Sequence, residues 1–169
     1  MNIYVRQFEK NDISQAVQIW NDIVNDGNAF PQKEELDERT GLDFFNSQTY
    51  TAVAIDTESN TDIGLYILHP NNVGRCGHIC NASYAVAKEY RGHHIGEALV
   101  RDCLKQAVIC GFKILQFNAV VSSNKAALSL YKKLGFTQLG TIPDGFLCKD
   151  GTYCDIIPHY ILLKPEFCD

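Results

Sequence analysis

The sequence predicts an α/β fold with a mixed sheet, and three observations carry that prediction. Short runs rich in β-branched and aromatic residues alternate with longer amphipathic stretches. Capping residues open the longer stretches, and glycines close them. The resulting order, β-α-α-β-β-β-α-β-α-β-β, is that of a sheet whose strands are partly adjacent in sequence and partly joined through helices.

Ile3 to Gln7 reads as the first strand. Asn11 or Asp12 can cap a helix to about Val24, with Ile13, Ala16, Val17, Trp20 and Val24 on one face, and Asp26-Gly27-Asn28 ends it. Lys33 to Asn46 reads as helical in pieces, broken near Thr40-Gly41. Tyr50 to Asp56 and Ile63 to Leu68 are strands joined by the polar turn Thr57 to Asp62, and His69 to Gly77 is a loop. Ile79 to Val86 is the next strand. A helix follows from about His94 to Cys110, closed by Gly111. Lys113 to Val121 is a strand, and Ser123 or Asn124 caps a helix that runs to Leu134 and stops at Gly135. Phe136 to Ile142 and Tyr153 to Leu163 are strands around a loop from Pro143 to Gly151.

A length of 169 residues suits one domain, residues 1–169, and 46% hydrophobic residues supply a core. The net charge of −5 argues against nonspecific binding to nucleic acid or to an acidic membrane surface. Met1 to Arg6 lack the apolar core of a signal peptide, and no apolar run is long enough to span a membrane. The seven cysteines are scattered without a C-x-x-C pair, which predicts free thiols in a reducing cytoplasm. Cys76, His78 and Cys80 lie close together but lack the spacing of a metal site, so no metal is expected.

Two segments carry chemistry. Arg91-Gly92-His93-His94-Ile95-Gly96 joins a strand to a helix. A glycine-bearing turn at a helix N-terminus presents backbone N–H groups and the positive end of the helix dipole, a cradle for phosphate or pyrophosphate. Asn124-Lys125-Ala126-Ala127, Tyr131 and Gly135-Phe136 form the second: a capped helix, a glycine stop and an aromatic strand start.

Together these segments resemble the GCN5-related N-acetyltransferase (GNAT) superfamily. The first is similar to its acetyl-CoA pyrophosphate motif Q/R-x-x-G-x-G/A, the second to its N-x-x-A…Y…G-F motif, and the element order matches over nearly the whole chain. The resemblance implies one N-acetyltransferase domain with a mostly antiparallel sheet of about seven strands, about four helices, and strands splayed at the cofactor site. It also implies acetyl-CoA as co-substrate and allows a homodimer. By the same resemblance, Tyr84, Ala85 and Val86 pair with the pantetheine arm. Arg91, Gly92, His93, His94, Ile95, Gly96 and Glu97 form the pyrophosphate cradle, Asn124 binds the cofactor, and Tyr131 lies near the thioester sulfur. The family's first glycine falls on His94. A helical backbone there would keep the amide in place, with the imidazole either beside phosphate or solvated.

The attacking amine must be neutral. An α-amine of pKa ~8 is neutral about one time in ten at pH 7, against about one in 2,500 for a lysine, so an α-amine needs less help from a base. A backbone amide such as that of Val86 can hold the oxyanion. Tyr131 is the candidate acid for the departing thiolate; its alternative is a core aromatic on an amphipathic helix. The inward positions where many relatives carry a glutamate base look like Asn81 and Asn118, which cannot act as bases but can bind a small amino-acid-like substrate. Asn81, Asn118 and Asn124 also match, in order and spacing, a branch resembling fungal acetyltransferases of proline analogues such as azetidine-2-carboxylate. That resemblance implies substrate contact by the first two and deprotonation through water. Trp20, Phe30, Phe44 and Phe45 either wall the substrate pocket or pack the core, and His78 is a candidate proton relay. Three functions stay open: acetylation of a small-molecule amine, acetylation of protein N-termini or lysines, and noncatalytic binding of acetyl-CoA.

Overall fold

The computed structural model describes residues 1–168. Strands β1 (Ile3–Gln7), β2 (Tyr50–Asp56), β3 (Thr61–Pro70), β4 (Ile79–Val86), β5 (Ile114–Phe117), β6 (Thr137–Gln138) and β9 (His159–Leu162) form one sheet in the order β1-β2-β3-β4-β5-β9-β6. Only β4 and β5 pair in parallel; all other neighbours are antiparallel. Strands β7 (Ile142–Leu147) and β8 (Tyr153–Ile156) make a separate hairpin. The helices are α1 (Ile13–Asp26), α2 (Glu38–Ser47), α3 (Ile95–Ile109) and α4 (Lys125–Lys133).

Strands β2 and β3 are buried at almost every position because the sheet is covered on both faces. Alternate residues go to opposite layers. Ala52, Ala54, Tyr66 and Leu68 pack with Leu99, Val100 and Cys103 of α3. Val53, Leu65, Ile67 and Ala85 pack with Ala16, Val17, Trp20 and Val24 of α1. Gly64 lets α3 sit directly on β3: a Cβ there would lie 2.9 Å from Ala85 O, 3.1 Å from Leu99 Cδ1 and 3.2 Å from Ile95 Cγ2.

The structure corrects several element boundaries. Helix α2 begins at Glu38 and runs unbroken through Thr40 and Gly41. Asp37 and Thr40 close a capping box, with Thr40 N donating to Asp37 Oδ1 at 2.6 Å and Asp37 N to Thr40 Oγ1 at 2.9 Å. Gly41 is where α1 packs closest, since a Cβ would come within 2.5 Å of Val17 Cγ2. Asp12 precedes α1 without capping it, because its carboxylate receives Arg6 at 2.7 and 2.8 Å and Glu9 N at 2.7 Å.

The strand expected over Lys113 to Val121 stops at Phe117. The expected strand Phe136 to Ile142 shrinks to two residues. Tyr153 to Leu163 divides around Pro158 into β8 and β9, which lie in different sheets. The expected loop from Pro143 holds most of β7, whose pairing jumps from Ile142↔Ile156 to Phe146↔Cys154. The turn-forming Pro143-Asp144-Gly145 is accommodated in that bulge.

All seven cysteines are free thiols, with Cys148 and Cys154 side by side on the β7-β8 hairpin. Among the described residues no helix is long and apolar enough to cross a membrane, and no group of three or more His, Cys, Asp or Glu is arranged to hold a metal.

Candidate active site

Strands β4 and β5 share only the pairs Ile79↔Ile114 and Cys80↔Leu115, then diverge. On the other side β4 pairs with β3 from Pro70↔Cys80 to Gly64↔Val86. In an antiparallel ladder peptide groups alternate in direction. Ala87 N donates to Ile63 O at 3.0 Å, so Ala85 turns its N–H and C=O toward β3 as well. The same alternation aims the peptide groups of Ala82, Tyr84 and Val86 into the gap. Two contacts agree: Ala82 N donates to Asn81 Oδ1 at 2.8 Å, and Arg91 Nε reaches Val86 O at 3.4 Å. The open edge is thus Tyr84 and Val86, while Ala85 serves the sheet and buries its methyl under α1.

The cradle continues from this edge. A 3₁₀ turn, Lys88–Tyr90, leads through Gly92, with φ 85°, into α3. The N-cap of α3 is His94, and its φ of 64° is left-handed, not the helical backbone expected there. This conformation favours glycine and costs another residue about 1–2 kcal/mol. No protein acceptor among the described residues receives the N–H groups of Gly92, His93, His94, Ile95, Gly96 or Glu97; the first intrahelical bond is Ala98 N to His94 O at 3.1 Å. Six successive free amides at a helix N-terminus form an anion site. The His94 side chain is 82% exposed, and its Nδ1 lies 3.9 Å from Glu97 Oε2. His93 Nδ1 sits 3.4 Å from Arg91 O.

Glu97 is the one carboxylate in this turn, and it is neutralised. Lys133 Nζ lies 2.6 Å from Oε2 and Arg101 Nη2 2.8 Å from Oε1, and these partners hold its pKa below the usual carboxylate range. Arg91 is tied back by Asp26 at 3.2 Å, which also binds Lys88 at 2.9 Å. Asn124 caps α4: its Oδ1 accepts from Ala127 N at 3.1 Å, which leaves its NH2 free.

Two cavities meet behind the open edge. The larger, about 530 Å³, runs along the cradle past Val86, Gly92, Ile95, Gly96, Leu130 and Lys133. The smaller, about 210 Å³, lies between the loop after α1, the gap and α4. Tyr84, Asn124, Ala127 and Tyr131 line both. Tyr131 is 9% exposed, its ring stacks 4.5 Å from Phe117, and burial raises its pKa. Among the described residues its hydroxyl has no hydrogen-bond partner within the protein. Tyr84 Oη is fully buried without a hydrogen-bond partner among the described residues, and burial raises its pKa as well.

The model of the Acetyltransferase (GNAT) family matches residues 16–136 of the chain. The chain belongs to that family. A GCN5-related N-acetyltransferase from Kribbella flavida is 30% identical, covers 95% of this chain and 98% of its own, and superposes with a TM-score of 0.87. The N-acetyltransferase aca1 of Schizosaccharomyces pombe is 30% identical over 134 residues, 70% of this chain and 64% of that protein. A GNAT superfamily phosphinothricin acetyltransferase from Sinorhizobium meliloti, solved with acetyl-CoA, shares the fold at 20% identity, with a TM-score of 0.88 over 96% of this chain and 89% of its own. The GNAT fold of the chain therefore stands, with its seven-stranded mixed sheet and four helices, and so does its class as an acyltransferase.

Asn81 and Asn118 both line the smaller cavity with Tyr131, although Asn118 sits exposed at its rim. That cavity has no Asp, Glu, His, Lys or Arg in its lining. His78 is exposed at the foot of β4, away from both cavities. His159 is buried with its ring 5.9 Å from Tyr131, its Nδ1 donating to Ile157 O at 2.7 Å. Of the four aromatics considered as pocket walls, only Phe30 lines the smaller cavity; Trp20 is buried with its ring 4.4 Å from Phe30, and Phe45 is buried against Trp20 in the α1-α2 layer. Sequence reasoning missed Ala29, Pro31 and Ser83 in the smaller cavity and Leu130 and Lys133 in the larger. Leu130 and Lys133 had a usable signal: they lie three residues apart on α4 and so share a helix face.

Proposed function

We propose that residues 1–169 act as one N-acetyltransferase domain that moves acetyl from acetyl-CoA to the amine of a small amino-acid-like molecule, by direct attack while both are bound. The observation that carries this reading is the meeting of the two cavities at Tyr131. One is long, open and edged with free amides; the other is small and neutral.

The chain fits acetyl-CoA on its own geometry. The six free amides from Gly92 to Glu97 suit the pyrophosphate, with Lys133 and Arg101 offsetting Glu97. The open peptide groups of Tyr84 and Val86 suit an extended pantetheine arm, which would complete β4 as a strand would. Seven free thiols suit a reducing compartment, and the cytoplasm is the setting we propose.

In the reaction the neutral amine nitrogen forms a bond to the thioester carbon, and the carbonyl electron pair moves to oxygen. The Val86 N–H faces the gap and can hold that oxygen. As the C–S bond breaks, the thiolate takes the hydroxyl proton of Tyr131, and the proton lost by the attacking nitrogen passes through water and restores the Tyr131 hydroxyl. Burial keeps Tyr131 protonated across the working pH range, and the same burial raises the basicity of a thiolate beside it. The cavity lacks a charged side chain, which fits an acceptor that is already partly neutral, such as an α-amine.

A mass-spectrometric acetylation screen tests the reading with free amino acids, peptides with free N-termini and lysine peptides. Acetylated free amino acids are the expected products. Modification of peptides alone would replace this reading with the protein-acetyltransferase alternative.

A further inference from the structure

Asn118 lies one residue beyond β5, exposed at the rim of the smaller cavity, where an amide side chain would ordinarily rotate. Here it is clamped from outside the cavity. Asn71 Nδ2 donates to Asn118 Oδ1 at 3.0 Å, and Asn118 Nδ2 donates to Asn71 Oδ1 at 2.7 Å. Gln116 Nε2 donates to the same Oδ1 at 3.0 Å. Asn71 is itself fixed, because its backbone N–H donates to Ile79 O at 2.8 Å where β3 and β4 begin to pair. Asn71 is absent from the cavity lining, so any influence on a substrate passes through Asn118.

The clamp decides what Asn118 shows the cavity. A side-chain amide has two acceptor positions and two N–H donors. Both acceptor positions of Asn118 are filled by Asn71 and Gln116, and one N–H is used, so one donor remains. The other two asparagines of the cavity are polarised the same way. Asn81 Oδ1 accepts from Ala82 N and Asn124 Oδ1 from Ala127 N, leaving each one acceptor position and both N–H donors. Three amides on the lining of one cavity thus each commit an oxygen position to the protein and keep N–H donors, and only Asn118 has no acceptor position left.

We infer that Asn71 is a positioning residue of the acceptor site: it holds Asn118 with its free N–H toward the cavity, so that the pocket prefers an acceptor bearing a carboxylate near its amine. This rests on the acceptor site proposed above. Neutral donors can satisfy carboxylate oxygens without the ion pair that would hold a product tightly.

The experiment compares Asn71→Ala, Asn118→Ala and the double variant in the full chain, with azetidine-2-carboxylate and its carboxamide as acceptors. Asn71→Ala is expected to raise KM for the carboxylate about tenfold, the size of one hydrogen bond, while kcat and the acetyl-CoA dissociation constant stay within about threefold. KM for the carboxamide should change less. Because Asn71 acts through Asn118, the double variant should be no worse than Asn118→Ala. An unchanged KM, or additive effects, overturns the inference. If the wild-type chain acetylates neither acceptor, the proposed acceptor chemistry fails separately, and NMR of the Asn118 side-chain amide decides the positioning. In Asn71→Ala that signal should shift and exchange faster with water; an unmoved signal contradicts the clamp.

Discussion

Along one edge β4 pairs with β3 from Pro70↔Cys80 to Gly64↔Val86, whereas along the other it meets β5 only at Ile79 and Cys80. The paired edge buries Leu65, Ile67 and Ala85 under α1 and seats α3 on Gly64. The open edge leaves peptide groups of Tyr84 and Val86 to be satisfied by water or by a ligand. One strand thus anchors the core through one side and offers a site through the other. Changes near the gap should alter turnover with little effect on folding, and changes at the paired side should do the reverse.

Tyr131, beside the gap, should show the largest effect. Tyr131→Phe is expected to lower kcat about 100-fold or more while the acetyl-CoA dissociation constant and Tm barely move. Because burial raises the Tyr131 pKa, the wild-type rate should show no fall from loss of its proton up to about pH 10. Full turnover in the variant would remove Tyr131 as the acid.

Gly64→Val attacks the paired edge. Its side chain would press on Ala85 O, Leu99 and Ile95, and overpacking of this kind costs about 2 kcal/mol. A Tm drop of about 4–8 °C is expected in thermal melts. A normal Tm would show that α3 can shift away from the sheet at no cost.

Asp62 offers a milder probe of the same side, where β3 begins. Burial pushes its pKa up to about 6, nearby Asp12 adds to the shift, and Arg6 opposes it. A raised carboxylate pKa means the folded state favours the proton. The resulting stability is fully present below about pH 4, and it is lost as pH rises toward 6. Asp62→Asn should therefore gain about 1–2 kcal/mol at pH 7.5 and almost nothing at pH 4, as read from denaturant unfolding. Equal gains at both pH values would assign the effect to something other than ionisation.

The smallest effect falls on the cradle. His94→Gly relieves a left-handed φ but adds backbone freedom in the unfolded chain, so stability should change by about 1 kcal/mol or less. The acetyl-CoA dissociation constant should stay within about threefold, because the position supplies an amide. A tenfold weakening would instead give the exposed imidazole a direct part in binding.

Much of this architecture was readable in the sequence because local signals agreed with the fold. The run Ile79 to Val86, the strand-to-helix turn at Arg91–Gly96 and the Asn124 cap each state their local structure, and apart from the backbone of His94 the chain places them as expected. What escaped was set by partners distant in sequence. Gly41 reads as a helix break, yet it serves the approach of Val17. Pro143 and Gly145 read as a loop, yet a partner strand absorbs them in a bulge. His94 shows no sign in its residue type of the left-handed backbone it adopts. Asn71, 47 residues from Asn118, is one polar residue among several in a loop until the fold brings the two amides together.

Residue-resolved amide hydrogen exchange, with and without acetyl-CoA, tests the two-edged strand most directly. On addition of acetyl-CoA, the amides of Tyr84, Val86 and Gly92 to Glu97 should become at least about tenfold better protected, while those of Ala85 and Ala87, already bonded to β3, stay unchanged. Protection that bypasses Tyr84 and Val86, or falls equally on Ala85, would contradict the account.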